Sequence, residues 1–181
     1  GSVGPALPGV SLRVTDDQGR PAAEGEIGHV EVRGPNVFSG YWQMPEKTSQ
    51  EFTADEWFKT GDVGRLDRAG YLEIVGRSKD VVITGGYNVY PAEIEGVLNE
   101  WPGIEESAVI GVPHSDFGEA VVAVLVPRSS GSVDPDALLS DLKIRLANYK
   151  VPKKLLCLDE LPRNAMGKVQ KAALRERYRT L

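Results

Sequence analysis

The sequence contains few residues of the kinds that form covalent or metal cross-links. It has one cysteine, Cys157, and two histidines, His29 and His114, among 181 residues. One cysteine excludes an internal disulfide and fits a reducing compartment, so we expect a cytoplasmic protein. Cys157 lies in an apolar run from Leu155 to Leu158, which predicts a buried small residue and not a nucleophile. Neither histidine has a cysteine or histidine partner at metal-ligand spacing, and we predict no metal-binding cluster.

Long apolar segments are also missing. No apolar run approaches the roughly 20 residues needed to span a bilayer. The first ten residues lack the charged start and the long apolar stretch of a signal peptide. With 41% hydrophobic and 26% charged residues, the composition is that of a soluble globular protein with one ordinary domain or two small ones. We therefore expect no membrane partner.

Basic residues are scarce in most of the chain and concentrated at its end. The first 142 residues hold 10 Lys or Arg and 23 Asp or Glu, whereas residues 143–181 hold 11 and 3. A positive segment suits a phosphorylated small molecule or a nucleic acid, or is simply solvated surface. The segment lacks the interleaved aromatic residues of a single-strand-binding surface, and the net charge of −5 disfavours non-specific DNA binding. A phosphorylated small molecule is thus the favoured ligand, and no nucleic acid is expected.

The first part of the chain is predicted to be rich in β-strands. Val10, Leu12 and Val14 alternate with polar residues, a strand pattern, and the segment 16–19 supplies a turn. A second run of β character covers residues 27–32 and ends at a Gly-Pro pair. Residues 46–52, after a proline, predict a short helix.

Residues 57–77 predict a β-hairpin that brings two charged residues together. If Leu66 pairs with Tyr71 across a four-residue turn, Asp62 and Arg77 project from the same face as diagonal neighbours about 7–8 Å apart. A one-residue slip would place them on opposite faces. The carboxylate could accept both hydroxyls of a ribose, and the guanidinium could donate to hydroxyl or phosphate oxygens. The alternative is a surface ion pair of little energetic value.

The stretch from residue 76 to residue 95, GRSKDVVITGGYNVYPAEIE, contains a polar joint and a pair of glycines between predicted strands and a predicted helix. A strand is predicted to end at Arg77, a polar joint follows at residues 78–80, and residues 81–83 predict another strand. Pro91 is predicted to begin a helix, and Pro102-Gly103 is predicted to end it. Between them, Gly85 and Gly86 suit a loop whose backbone lies against a narrow ligand, or an ordinary turn from strand to helix. The joint at residues 78–80 is the expected domain boundary.

The segment after the joint predicts a small α+β unit of two or three layers. Its predicted order is β-α-β-β-α-β-α, with a flexible connector at residues 129–132. Apolar stripes assign the buried faces of the helices, and an almost uniformly apolar strand at residues 120–126 is expected to be central. The predicted inward-facing residues of the three helices are Ile94, Val97, Leu98 and Trp101, then Leu138, Leu139, Leu142 and Leu146, then Leu174 and Tyr178.

Six motifs follow one another along the chain: GPNVFSGYWQMPEKT, EWFKTGDVG, GYLEIVGRSKD, GGYNVYPAEIE, GVPHSDFGEAV and LPRNAMGKVQKAAL. In this order they resemble the C-terminal third of the adenylate-forming acyl-CoA synthetases, the AMP-binding enzyme family. Within the superfamily the chain is most similar to the malonyl-CoA synthetases. The resemblance implies an α+β fold. Residues 1–78 would be the β-rich end of the large AMP-binding domain, made of hairpins and part of a distorted barrel, and residues 79–181 would be a mobile C-terminal lobe.

The same resemblance implies roles for individual residues. Asp62 and Arg77 would bind the ribose of ATP, and Lys79 would be the hinge about which the lobe rotates. Lys168 would be the catalytic cation, contacting the acyl carboxylate and the α-phosphate region. The pantetheine arm of CoA would pass along a tunnel lined by Gly85, Gly86 and Tyr87. Read without the resemblance, a loop lysine such as Lys168 is ordinary solvated surface.

The implied reaction is the joining of a carboxylate to ATP, followed by thioester formation with CoA. ATP and CoA are the expected cofactors, and Mg²⁺ is expected with ATP but without ligands in this chain. No phosphate-binding loop ending in lysine and no Thr-Glu motif occur, so the chain resembles a fragment that is inactive alone. Two alternatives are an adenylation module that loads a carrier protein and an isolated lobe without turnover. We also hypothesise that a lysine acetyltransferase regulates Lys168, because acetylation would remove the needed charge.

Overall fold

The computed structural model describes residues 2–128 and 133–181, so the predicted connector at residues 129–132 lies outside the described residues. The chain divides into two compact units, one ending at Lys79 and the other beginning at Asp80. We refer to them as unit 1 and unit 2. None of the helices in the described ranges has the length and apolar character required to cross a membrane.

The elements of unit 1 are β1 (Ser2–Gly4), β2 (Ser11–Thr15), β3 (Gly28–Arg33), α1 (Pro45–Glu51), β4 (Phe58–Leu66) and β5 (Leu72–Arg77). The strands form an open five-stranded sheet with strand order β1-β5-β4-β3-β2, and all neighbouring strands are antiparallel. The β character predicted near the start of the chain corresponds to β2 and β3, and the predicted hairpin corresponds to β4 and β5. The sheet does not close into a barrel over the described residues.

The elements of unit 2 are β6 (Val82–Thr84), β7 (Tyr87–Val89), α2 (Pro91–Asn99), β8 (Ile104–His114), β9 (Gly118–Pro127), α3 (Pro135–Arg145), β10 (Lys154–Cys157) and α4 (Lys171–Arg177). The unit is built around β9, the predicted apolar strand, which pairs with β10, β6 and β8. The pairing of β9 with β10 is parallel, whereas its pairings with β6 and β8 are antiparallel.

Both faces of the unit 2 sheet are buried, which explains the almost uninterrupted apolar sequence of β9. Successive side chains of a strand point to opposite faces. Val121, Ala123 and Leu125 join one core cluster with α2 and α3, and the alternate residues of β9 join a second cluster with Leu174 of α4. The unit therefore has three layers, and the predicted α+β fold is confirmed.

The helices of unit 2 begin where their sequences indicate. Pro91 is the first residue of α2, where its missing N–H costs nothing. The Asp134 carboxylate accepts hydrogen bonds from the backbone N–H groups of Asp136 and Ala137, which caps α3. All predicted stripe residues are buried or pack against the two clusters.

Three sequence predictions about unit 2 are wrong. Gly85 and Gly86 do not lead from a strand into a helix but join β6 to a strand, β7, that the sequence analysis missed. Cys157 is exposed, because it lies at the end of β10, outside both core clusters. Helix α2 ends at Asn99, before the predicted Pro102-Gly103 stop.

Candidate nucleotide and thioester site

The hairpin of β4 and β5 has a different register from the predicted one. Leu66 pairs with Leu72, not with Tyr71. This one-residue slip alone would separate Asp62 from Arg77. The hairpin also contains one β-bulge, because the register shifts between Gly64 and Val63 and leaves Val75 as an extra residue in β5. The bulge restores the parity that the slip removes.

Asp62 and Arg77 are consequently direct partners across the two strands and not diagonal neighbours. Arg77 Nε lies 3.0 Å from Asp62 Oδ1. Arg77 Nη1 also donates to the backbone oxygen of Thr60 over 3.2 Å. The Arg77 side chain is 54% exposed and the Asp62 side chain 25%. The pair thus combines a held geometry with donors and lone pairs that remain accessible to a polar ligand.

Lys79 lies in a short 3₁₀ turn, Ser78–Asp80, that follows β5. Its side chain is exposed, whereas the side chain of Asp80 is mostly buried and forms a 2.7 Å ion pair with Arg175 of α4. The residue after Lys79 is therefore fixed to unit 2 by a long-range contact. The Lys79 side chain has no hydrogen-bond or ion-pair partner within residues 2–128 and 133–181.

Gly85 and Gly86 form the two-residue turn of the β6–β7 hairpin. Their φ angles are 56° and 82°, the pattern of a type I′ turn, which glycine adopts without strain. A Cβ at Gly86 would meet no atom within 4 Å, so backbone conformation and not crowding within the unit requires glycine here. Gly85 N–H donates to the backbone oxygen of Phe117, which fixes the turn to the β8–β9 connection. Next to the turn, Tyr87 is 58% exposed and stacks on Tyr149 at 4.6 Å.

The backbone of the loop that carries Lys168 is held by hydrogen bonds, and the Lys168 side chain is exposed. Asn164 Oδ1 accepts hydrogen bonds from the N–H groups of Met166 and Lys168, and Asn164 N–H donates to the Lys168 oxygen. Arg163 binds the Gly167 oxygen and forms an ion pair with Glu106. Lys168 Nζ has no partner among the described residues, and its side chain is exposed.

The absence of a partner distinguishes Lys168 from much of the basic C-terminal segment. Five of its eleven basic residues form ion pairs with acidic residues of unit 2, so their charge is already compensated. The paired residues are Arg145, Lys150, Arg163, Lys171 and Arg175.

The histidines have local partners. His29 Nε2 lies 2.8 Å from Asp17 Oδ1, and His114 Nδ1 accepts from the N–H of Asp116. In the described parts of the chain, no group of three or more His, Cys, Asp or Glu side chains could hold a metal ion.

Comparison with known proteins gives consistent matches along the chain. The AMP-binding enzyme C-terminal domain matches residues 93–168, and the AMP-binding enzyme model matches residues 1–42. Indoleacetate–CoA ligase of Aromatoleum aromaticum is 47% identical over 176 residues, which are 97% of this chain and 34% of that protein.

Two solved structures show the same fold over nearly the whole chain. ATP-bound MatB from Rhodopseudomonas palustris has a TM-score of 0.94 and 57% identity, and the match covers 99% of this chain and 36% of that one. The o-succinylbenzoate CoA synthetase from Bacillus subtilis, in complex with the acyl-adenylate OSB-AMP, has a TM-score of 0.91 and 37% identity over 97% and 35% of the two chains. The chain spans about a third of the length of these relatives. It belongs to the AMP-binding enzyme family.

Proposed function

We propose that the chain is the C-terminal part of an ATP-dependent acyl-CoA ligase. In the first half-reaction a carboxylate oxygen attacks the α-phosphorus of ATP, which forms an acyl-adenylate and releases pyrophosphate. In the second, the thiol of CoA attacks the acyl carbon, loses its proton and releases AMP. Family membership supports this proposal, as do the CoA ligases among the relatives.

In this proposal Asp62 and Arg77 bind the ribose of the nucleotide. One oxygen of Asp62 accepts from Arg77, and the other keeps its lone pairs for the ribose hydroxyls. The guanidinium has further N–H donors directed to hydroxyl or phosphate oxygens. The exposure of Arg77 and the short contact between the two side chains support this role.

Lys168 supplies positive charge during adenylation. Negative charge accumulates at the α-phosphate as the new bond forms, and a positioned cation lowers that barrier. The observation that carries the proposal is the Lys168 Nζ, which has no partner within the described residues, on a loop whose backbone is held by hydrogen bonds. The ammonium is therefore available, and the backbone that carries it is fixed. Regulation of this lysine by an acetyltransferase stays a prediction, as does a cytoplasmic location.

The β6–β7 turn serves the second half-reaction. Gly85 and Gly86 have no side chains to obstruct a slender pantetheine arm, and Tyr87 gives the passage an apolar wall. Lys79 is the hinge that allows unit 2 to present Lys168 in one step and the glycine turn in the other. The fixation of Asp80 by Arg175 supports a hinge that is confined to the preceding residues.

Malonate or a related small dicarboxylate is the proposed acyl substrate. The 57% identity to MatB, a malonyl-CoA synthetase, supports this choice over the indoleacetate and o-succinylbenzoate of the other relatives. The proposed acceptor is CoA, with a carrier-protein pantetheine arm as the alternative. Measuring the acylation of CoA and of a carrier protein by the intact enzyme separates these possibilities.

Substitution of Lys168 tests the proposal in the intact enzyme. Lys168→Ala should lower pyrophosphate release in the adenylation step by about 10²- to 10³-fold, because the cation at the α-phosphate is lost. Thioester formation from supplied acyl-adenylate should change only a few-fold. Lys143→Ala, which removes another exposed lysine of unit 2, is the matched control and should leave both steps unchanged. An equal loss of both half-reactions in Lys168→Ala would reject the assignment.

A further inference from the structure

Thr60 lies beside the Asp62–Arg77 pair at an irregularity in the sheet of unit 1. Between β3 and β4 the register shifts, so that Val30 alone lies opposite the three residues from Thr60 to Asp62. A bulge of this kind locally disrupts the ladder, and the backbone groups it displaces need other hydrogen-bond partners. Gly61 allows the bulge, because its φ of 74° is in the left-handed region.

The Thr60 hydroxyl supplies two of those partners. It donates to the backbone oxygen of Val30 over 3.0 Å, and it accepts a 3.0 Å hydrogen bond from the N–H of Asp62. A hydroxyl has one donor and two lone pairs, so it can make both bonds at once. One side chain therefore connects strand β3 to the backbone of Asp62.

The backbone of Thr60 contacts the second member of the pair. Its carbonyl oxygen accepts the 3.2 Å hydrogen bond from Arg77 Nη1. Asp62 is thus held through its amide and Arg77 through its guanidinium, and both bonds end on the same residue. Because Val30 anchors the hydroxyl, the position of Thr60 is set by the sheet and not by the pair itself.

We propose that Thr60 is a positioning residue for the nucleotide, and that its hydroxyl fixes the Asp62 carboxylate and the Arg77 guanidinium for ribose binding. The proposal rests on the ribose-binding role given to these two residues under the proposed function. Thr60 acts through its neighbours and is not placed in contact with the nucleotide.

Thr53 provides a matched control in the same unit. Its hydroxyl also makes two bonds to the backbone, donating to the oxygen of Trp57 and accepting from the N–H of that residue. Neither bond reaches Asp62 or Arg77. Replacing either threonine by valine removes a hydroxyl with the same bonding pattern, but only the Thr60 substitution should disturb the pair.

The test compares Thr60→Val, Thr60→Ser, Thr53→Val and Asp62→Asn in the intact enzyme. Thr60→Val should raise KM for ATP about five- to tenfold and change kcat much less, because binding and not the chemical step depends on the geometry of the pair. It should also lower the ratio of kcat/KM for ATP to kcat/KM for 2′-deoxy-ATP. Thr60→Ser, which keeps the hydroxyl, should have the KM for ATP and the nucleotide preference of the unaltered enzyme. Thr53→Val should leave both quantities unchanged.

The outcomes separate this proposal from the one on which it rests. If Asp62→Asn raises KM for ATP while Thr60→Val behaves like Thr53→Val, the positioning role is overturned and the ribose role survives. If Asp62→Asn itself leaves KM and the 2′-deoxy-ATP preference unchanged, the ribose role fails, and the Thr60 proposal fails with it. Thr60→Ala takes the place of Thr60→Val if the valine variant does not fold, and the same outcomes apply.

Discussion

The two units of the chain are stabilised in different ways. In the described residues of unit 2, two large clusters of buried apolar side chains cover both faces of the sheet. The corresponding cluster of unit 1 has only three buried members, Val14, Val30 and Leu72. Apolar burial is the dominant favourable term in folding, so unit 2 should depend on its core far more than unit 1 does.

Unit 1 contains a network of charged side chains that includes a buried carboxylate. Arg13 forms ion pairs with Glu31, which is only 4% exposed, and with Asp55. The guanidinium groups of Arg13 and Arg33 also lie over the Trp57 ring, at 4.4 and 4.8 Å from its centroid. A buried carboxylate is tolerated only when it is paired, which makes these contacts a condition of the fold of unit 1. The two units are therefore expected to unfold under different conditions.

The largest expected effect is the removal of a core side chain from unit 2. Leu142 is fully buried in α3, and Leu142→Ala should destabilise unit 2 by about 3 kcal/mol. Hydrogen exchange of the β9 amides under increasing urea measures this loss. Leu139→Ala, at a partly buried position of the same helix, should cost about 1 kcal/mol. Equal costs for the two variants would contradict the assignment of α3's buried face.

An intermediate effect is expected where the backbone of unit 1 is crowded. A Cβ at Gly64 would lie 2.5 Å from the backbone oxygen of Glu73. Gly64→Ala should therefore destabilise unit 1 by about 2 kcal/mol, measured by hydrogen exchange of the β4 amides. Gly76→Ala is the control in the neighbouring strand, since a Cβ at that position would meet no atom within 4 Å. Similar losses for both variants would show that strand flexibility and not the contact with Glu73 is responsible.

The smallest expected effect is the response of unit 1 to acid. The hydrogen bond from Arg13 lowers the pKa of Asp55 from 3.8 to about 2. The unfolded chain therefore binds more protons than the folded chain between these values, and the stabilisation by this pair is complete above pH 4 and lost as the pH falls towards 2. Asp55→Asn should flatten the pH dependence of β2 and β3 hydrogen exchange in that window. An unchanged pH profile would exclude Asp55 as its source.

Much of unit 2 could be predicted because its signals are local. Helix stripes such as Ile94 and Leu98 have a period that a sequence shows directly, and a capping aspartate is adjacent to the helix that it starts. The strand β7 was not predicted because its three residues, Tyr87–Val89, are too few to show an alternation. In addition, Pro91, two residues later, indicates only the start of a helix. The exposure of Cys157 depends on where β10 leaves the sheet, which its apolar neighbours do not indicate.

The proximity of Asp62 and Arg77 was predicted from the sequence, but the geometry that produces it was not. The sequence indicated that Asp62 and Arg77 share a face, yet the register on which this rested is wrong. The hairpin differs from the predicted one in two ways, a loop that is one residue longer and a bulge at Val75, and together they keep Asp62 and Arg77 on one face. Neither difference has a strong signal in the local sequence. The importance of Thr60 was missed for the same reason, since its hydroxyl is needed only where β4 departs from the ladder with β3.

The extra residue in β5 means that the hairpin can change in length and still keep its charged pair. Val75 has no partner of its own in β4, so its deletion would leave Gly76 opposite Val63 and Arg77 opposite Asp62 in a regular ladder. The loop between Leu66 and Leu72 can likewise gain or lose a residue without changing the pairs that follow it, because paired residues share a face whatever the length of the loop. A single gap at either place is therefore compatible with the contact between the aspartate and the arginine.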